Sequence, residues 1–259
     1  MTTYKTVVIT GGNSGIGAAI AKKYCVNGST VYALARNTTK LNEIKMSLPK
    51  RYQAHFITEK CDVTDNQQVV RVFQNIFRQQ PVDLVISNAG IGYSKPFVKY
   101  TDKEMTDVVA TNLLGTINVV KAALKFRKRR PLQIACTSSL AGKIGFPDMS
   151  IYSASKFGLE GLIESLRNEY DKNDVAFTVV RPGITKTSFF KKAGMQEFEK
   201  SVKDLKCYYS PERVADIFFK KLSWSRSTIV VGNDKYFLAI LPFIPFRHRF
   251  KILDLINKL

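Results

Sequence analysis

Short apolar runs recur along the 259-residue chain, separated by stretches with a helical period. The runs are KTVVIT (5–10), STVYALA (29–35), AHFITEKCD (54–62), VDLVISN (82–88), LQIACTS (132–138), AFTVVRP (176–182) and STIVVG (227–232). Most are near-continuous in Val, Ile and other apolar residues rather than alternating, as expected of strands buried on both faces. The clearest helix is 66–79, where Val69, Val72, Phe73 and Ile76 keep the i, i+3, i+4, i+7 spacing and Phe77 widens the stripe. After Tyr152, residues Leu159, Leu162, Ile163, Leu166 and Tyr170 do much the same. Strand–helix alternation of this kind predicts an α/β fold, a doubly wound parallel sheet. No repeat, low-complexity tract or linker interrupts it before about 185, so 1–235 reads as one domain and 236–259 as a C-terminal extension.

Three local patterns carry chemistry. TGGNSGIG (10–17) lies between the first strand and the first helix. There Gly11, Gly15 and Gly17 let backbone approach backbone and ligand, with Asn13, Ser14 and Ile16 filling the turn. The helix start offers free N–H groups to a pyrophosphate. At the end of the second strand, YALARN places Ala35 and Arg36 where a carboxylate would hold a ribose 2′-hydroxyl. A guanidinium suits a 2′-phosphate instead, which predicts NADP(H); the alternative is a solvated Arg at a strand end. Finally, IYSASK (151–156) stacks Tyr152 and Lys156 on one helix face. An ammonium beside a phenol stabilises phenolate and draws its pKa down from near 10, unless the two are merely surface neighbours.

Taken in order, TGGNSGIG, CDVTD (61–65), NAG (88–90), TNLLG (111–115), SSLAG (138–142), YSASK (152–156) and RPGITKT (181–187) resemble the short-chain dehydrogenase/reductases over roughly residues 5–232. That resemblance implies a single Rossmann-type domain with about seven parallel strands. It implies an NADP-dependent enzyme that reduces a carbonyl. Tyr152 would be the general acid, Lys156 would lower its pKa and hold the nicotinamide ribose, and Ser139 would bind the substrate oxygen. Asn112 would join a proton relay near Lys156, or else be a satisfied core amide; Met105, Val108, Val109, Leu113 and Ile117 suggest a buried face beside it. Asp62 and Val63 would contact adenine, Asn88, Pro182 and Gly183 would line the cofactor, and Thr187 would meet the carboxamide. Because residues 189–209 follow RPGITKT and precede the next helix signal, SPERV, they are expected to form a mobile substrate lid. Members commonly pair through the helices bearing Asn112 and Tyr152, so a homodimer or homotetramer is expected. A looser likeness, in TGGNSGIG, LARN and the apolar tail, points to the 3-ketodihydrosphingosine reductase branch. A non-enzymatic, NADP-binding regulatory or scaffold protein is the contrasting reading.

Charge and composition then narrow the partners. Forty basic residues against 21 acidic give a net charge of +19, which suggests an anionic partner. Cys25, Cys61, Cys136 and Cys207 show no metal-ligand spacing and fit reduced thiols in a cytoplasmic protein. With only His55 and His248, no histidine-based metal centre is expected. KFRKRR (125–130) could dock an acidic acyl-carrier protein or a phosphate-bearing substrate, or be a solvated helix end. In the tail, Phe246, Phe250, Leu253 and Ile256 share one helical face and Arg247, Lys251, Asp254 and Lys258 another. That amphipathic pattern predicts peripheral attachment to an anionic membrane surface, against a tail folded over the cleft or a dimer contact. Nucleic acid is not expected, since Phe126 is the one aromatic in the basic cluster. The predicted substrate is a hydrophobic carbonyl compound, a long-chain or β-keto lipid, surrounded by Ile144, Phe146, Phe189 and Phe190; a steroid or retinoid and a carrier-bound 3-ketoacyl group compete.

Overall fold

A computed structural model describes residues 4–203, 208–222 and 228–232. Seven parallel strands form one sheet: β1 (Thr6–Thr10), β2 (Thr30–Ala35), β3 (Phe56–Lys60), β4 (Leu84–Ser87), β5 (Leu132–Thr137), β6 (Val175–Pro182) and β7 (Thr228–Val231). Their order is β3-β2-β1-β4-β5-β6-β7, so the chain reverses its direction of winding beside β1. In such sheets ligands bind at the carboxyl ends of the strands flanking that reversal.

The helices among the described residues are α1 (Gly15–Val26), α2 (Thr38–Met46), α3 (Lys50–Gln53), α4 (Asn66–Gln79), α5 (Asp102–Val109), α6 (Gly115–Phe126), α7 (Ser150–Glu169), α8 (Ser188–Lys192), α9 (Gln196–Val202) and α10 (Pro211–Lys221). They cover both faces of the sheet. Val7 and Ile9 pack with Ile20, Tyr24, Leu41 and Phe218 on one side, while Val8 packs with Phe73, Val119 and Leu159 on the other. The period-two alternation of a strand thus delivers apolar side chains to two cores, which is why β1 reads as an unbroken apolar run.

Local chemistry sets the helix starts. Asp65 accepts from the backbone N–H of Gln68 (3.0 Å), and Ser210 from that of Arg213 (3.1 Å), ahead of Pro211. Thr101 and Glu104 form a reciprocal capping box at the start of α5. Between α5 and α6 the helix widens into a single π turn over Ala110–Leu114. The resulting 102–126 helix is long and apolar enough to span a bilayer, but Val108, Val119, Val120, Ala122 and Ala123 are buried within the protein.

The π turn corrects one expectation. The core face is Val108, Asn112, Thr116 and Val119, whereas Met105, Val109, Leu113 and Ile117 are only half-buried. The basic cluster is also reassigned in part. Arg127 donates to both carboxylate oxygens of Asp174 (3.1 and 2.8 Å) and to the Arg130 carbonyl (3.0 Å), so it is structural. Lys128 and Arg129 turn the chain at φ 50° and 56°, leaving Lys128, Arg129 and Arg130 exposed. The predicted tail helix over 236–259 lies outside the described residues.

Candidate active site

The glycine-rich turn joins β1 to α1 at the sheet's carboxyl edge. Gly11 (φ 67°) and Gly15 (φ 51°) occupy the left-handed region, where a side chain costs strain. A Cβ at Gly17 would collide with the Gly11 carbonyl and stand 2.5 Å from Asn88 Nδ2, so the helix can approach the turn only as glycine. Gly15 abuts Thr187, whose hydroxyl accepts from the Phe189 N–H (3.2 Å) and starts α8. The Ser14 side chain makes no cap bond, and no acidic residue stands in the first turn of α1. Asn13 and Ile16 are half-buried in the same turn. Backbone N–H groups at such a helix start suit an anion.

Asn88 is fixed from three sides. Its N–H donates to Thr10 Oγ1 (3.0 Å), its Nδ2 to the Thr10 carbonyl (3.2 Å), and its Oδ1 accepts from Thr137 Oγ1 (3.2 Å). Arg36 projects from the end of β2, 69% exposed, 3.8 Å from a carboxylate oxygen of Asp62. The other Asp62 oxygen accepts from the Thr64 N–H and hydroxyl, while Val63 is buried against Gly115. Pro182 ends β6 and Gly183 follows it, with the Gly183 N–H bonded to the Val231 carbonyl (2.7 Å). The expected cofactor residues therefore collect along one edge of the sheet.

The candidate catalytic side chains meet between β5 and α7. Tyr152 and Lys156 share a face of α7, with the ammonium 5.7 Å from the Tyr152 ring centroid. Ser139 follows β5, and its hydroxyl lies close enough to the Tyr152 phenol to draw the phenol's pKa down. Lys156 donates to the Thr137 carbonyl (2.8 Å) and is almost wholly buried, which pulls its pKa down from 10.5 to about 8. Burial also pushes the Tyr152 phenol up to about 12, against the smaller downward pull of the Ser139 hydroxyl. The spacing alone predicted a lowered phenol; desolvation outweighs that effect, and the phenol stays protonated, ready to donate, at neutral pH.

Asn112, fully buried, donates to the Ile91 carbonyl (2.9 Å) and Ser155 Oγ (3.0 Å) and accepts from the Ile91 N–H (2.9 Å). Both amide N–H groups are committed, and a lone pair of Oδ1 remains. Gly90 lies beside both Asn112 and Lys156: a Cβ there would stand 3.3 Å from Asn112 Oδ1 and 3.7 Å from Lys156 Nζ.

The site corresponds to a known family. The family model for short chain dehydrogenases matches residues 5–197. The chain belongs to the short chain dehydrogenase family. A 3-dehydrosphinganine reductase of Arabidopsis thaliana is 38% identical over 197 residues, covering 74% of this short chain dehydrogenase and 58% of the relative. A 3-ketodihydrosphingosine reductase of Bos taurus is 30% identical over 247 residues, or 91% of this chain and 73% of that one. The chain thus spans less than two thirds of the plant relative. A solved Burkholderia phymatum short chain dehydrogenase/reductase in complex with NAD shares the fold, with TM-score 0.83, 22% identity, and coverage of 98% and 96% of the two chains.

The short chain dehydrogenase also recruits residues that sequence reasoning missed. Thr10 is buried and holds both Asn88 and the Ala89 N–H (3.1 Å), while Ser155 links Asn112 to α7. Thr10 opens the glycine-rich motif TGGNSGIG and Ser155 falls within YSASK. What hid them was that their partners lie far along the chain.

Proposed function

We propose that the chain uses NADPH to reduce the keto group of a long-chain lipid, with 3-keto sphingoid bases as the favoured class. The observation that carries the substrate class is an aromatic path leading away from the reacting phenol. Phe189 packs 5.5 Å from the Tyr152 ring, Phe190 packs on Phe189 at 6.1 Å, and Phe198 on Phe190 at 5.9 Å, with Phe198 40% exposed. Ile144 is buried and Phe146 half-buried near the start of α7. The names of the plant and bovine relatives support the same class.

The residues present fit the cofactor. The turn at Gly11, Gly15 and Gly17 and the unblocked start of α1 suit a pyrophosphate, and exposed Arg36 suits a 2′-phosphate. Asp62 and Val63 would flank adenine, Asn13, Ser14, Ile16, Asn88, Pro182 and Gly183 would line the cleft, and Thr187 would face the carboxamide. When bound, NADPH supplies the hydride that reaches the carbonyl carbon. The chain supplies the rest. Ser139 and Tyr152 hydroxyls converge on the carbonyl oxygen, and Tyr152 gives it a proton as negative charge develops. Lys156 steadies the phenolate left behind, and the spare lone pair of Asn112 Oδ1 orients a relay toward it. Phe189 excludes water from the reacting centre.

Two further expectations complete the proposal. The 236–259 tail would hold the enzyme at an anionic membrane surface on the cytoplasmic side, where such lipids reside. Self-pairing into a dimer or tetramer would use α5–α6 and α7, where Leu114 and Phe157 are exposed. The deciding experiment is NADPH oxidation with a series of 3-ketones of increasing chain length. A buried methylene contributes about 0.8 kcal/mol, so kcat/KM should climb by up to about fourfold per added carbon until the groove is filled. Turnover confined to short, water-soluble ketones would overturn the lipid assignment.

A further inference from the structure

Three consecutive residues, Thr137 at the end of β5 and Ser138 and Ser139 just beyond it, face three successive turns of α7. The Ser139 hydroxyl meets Tyr152, the Thr137 carbonyl accepts from Lys156, and the Ser138 hydroxyl donates to Glu160 Oε1 at 2.7 Å. Tyr152, Lys156 and Glu160 stand four residues apart, which places them on one helix face. The first two contacts belong to the reacting set; the third lies behind it, buried. Ser138 is 3% and Glu160 6% exposed.

This third contact is built from several elements. Arg181 on β6 donates from Nε to Glu160 Oε1 (2.7 Å) and from its terminal nitrogen to Oε2 (2.5 Å). Lys143 approaches Oε2 at 3.2 Å. The Ser138 N–H donates to the Val180 carbonyl (2.7 Å), so hydroxyl and backbone are both held. Gly142 makes room: a Cβ there would stand 2.5 Å from Ser138 Oγ and 2.7 Å from Glu160 Oε1. Burial opposes ionisation of Glu160, but Arg181, Ser138 and Lys143 together hold its carboxyl below the usual range. An arrangement this specific is more than a general-purpose ion pair needs, since an apolar pair of similar volume would stabilise a core as well.

We propose that Glu160 is a positioning residue, which anchors Ser138 and thereby sets Ser139 and the Thr137 carbonyl against Tyr152 and Lys156. The inference rests on reading Ser139, Tyr152 and Lys156 as the reacting set. Glu160 acts through geometry and through its charge. The groups facing Lys156 are Cys136 on β5 and Tyr152 and Glu160 on α7, and the Glu160 carboxylate favours the protonated ammonium. Facing Glu160 are Arg181 from β6, Lys143 from the loop before α7, and Ser138 just after β5.

Two variants test it in the full chain. Ser138→Ala removes one hydroxyl and leaves the Glu160–Arg181 pair intact. With 3-ketodihydrosphingosine as substrate, its kcat should fall about ten- to a hundredfold, the range for a slightly misplaced reacting group, while NADPH affinity stays within about twofold. A kcat within about twofold of wild type overturns the proposal. Glu160→Gln is read without substrate, by NMR titration of lysine-labelled protein with Lys156→Arg assigning the signal. Its Lys156 midpoint should fall below the wild-type value; an unchanged midpoint overturns the proposal. If the wild-type chain fails to reduce 3-ketodihydrosphingosine, the substrate assignment alone falls, and the Lys156 titration still decides the role of Glu160.

Discussion

Replacing Lys156 by methionine should end the chemistry and yet make the protein more stable at neutral pH. Lys156 is 3% exposed, and burial lowers its pKa from 10.5 to about 8. At about 1.4 kcal/mol per pKa unit, keeping the ammonium charged in the folded state costs about 3 kcal/mol at pH 7. Methionine matches the stem in volume and removes that cost, but it forfeits the hydrogen bond to the Thr137 carbonyl, worth about 1–2 kcal/mol. The balance favours the variant by about 1–2 kcal/mol, or about 2–8 °C in Tm for a domain of this size. The pH dependence gives a sharper signature. Between pH 8 and 10.5 the unfolded lysine keeps its proton while the folded one loses it, so wild-type stability rises with pH there. The raised thiols of Cys25, Cys61 and Cys136 and the raised Tyr152 pull the other way, but they are common to both proteins. Thermal unfolding of both proteins from pH 7 to pH 10 should therefore show the variant's advantage shrinking as pH rises. A variant less stable than wild type at pH 7, or a difference flat across that range, would refute the reasoning.

Other perturbations probe the cofactor cleft and the tail. Ala35→Asp with Arg36→Leu should shift the ratio of kcat/KM values from NADPH toward NADH, and an unchanged ratio would show that Arg36 reads no phosphate. Gly17→Ala should weaken NADPH binding, measured by fluorescence titration, because its Cβ would strike the Gly11 carbonyl and displace the turn; overpacking of this kind costs about 1–3 kcal/mol. The full chain should sediment with anionic vesicles more than with neutral ones, with moderate salt reducing the difference, and truncation after Lys235 should abolish it. Equal behaviour of the two chains would assign the tail elsewhere.

The strands were legible because each feeds two cores, leaving runs that periodicity can find; their ends were not. β3 occupies Phe56–Lys60 and β4 Leu84–Ser87, each shorter than its apolar stretch, because pairing with the neighbouring strand sets the limits. The stripe through Leu113 and Ile117 failed for a different reason: the π turn at Ala110–Leu114 inserts backbone and rotates the residues from there on off a 3.6-residue period. In the site, Tyr152, Lys156 and Ser139 follow from spacing and resemblance, since the first two are local to one helix. Ser138 and Glu160 needed Arg181 from another strand before their roles could be seen. Likewise a sequence shows that a lysine adjoins a phenol, but the desolvation that raises Tyr152 comes from the surrounding fold.

The most direct test of the central claim is Tyr152→Phe, assayed with NADPH and a long-chain 3-ketone beside a fluorescence titration of NADPH. The variant keeps the ring against Phe189 and the Lys156 ammonium, and removes only the phenolic proton. The account predicts that reduction falls to background while NADPH affinity stays close to wild type. Full turnover by the phenylalanine variant would contradict it.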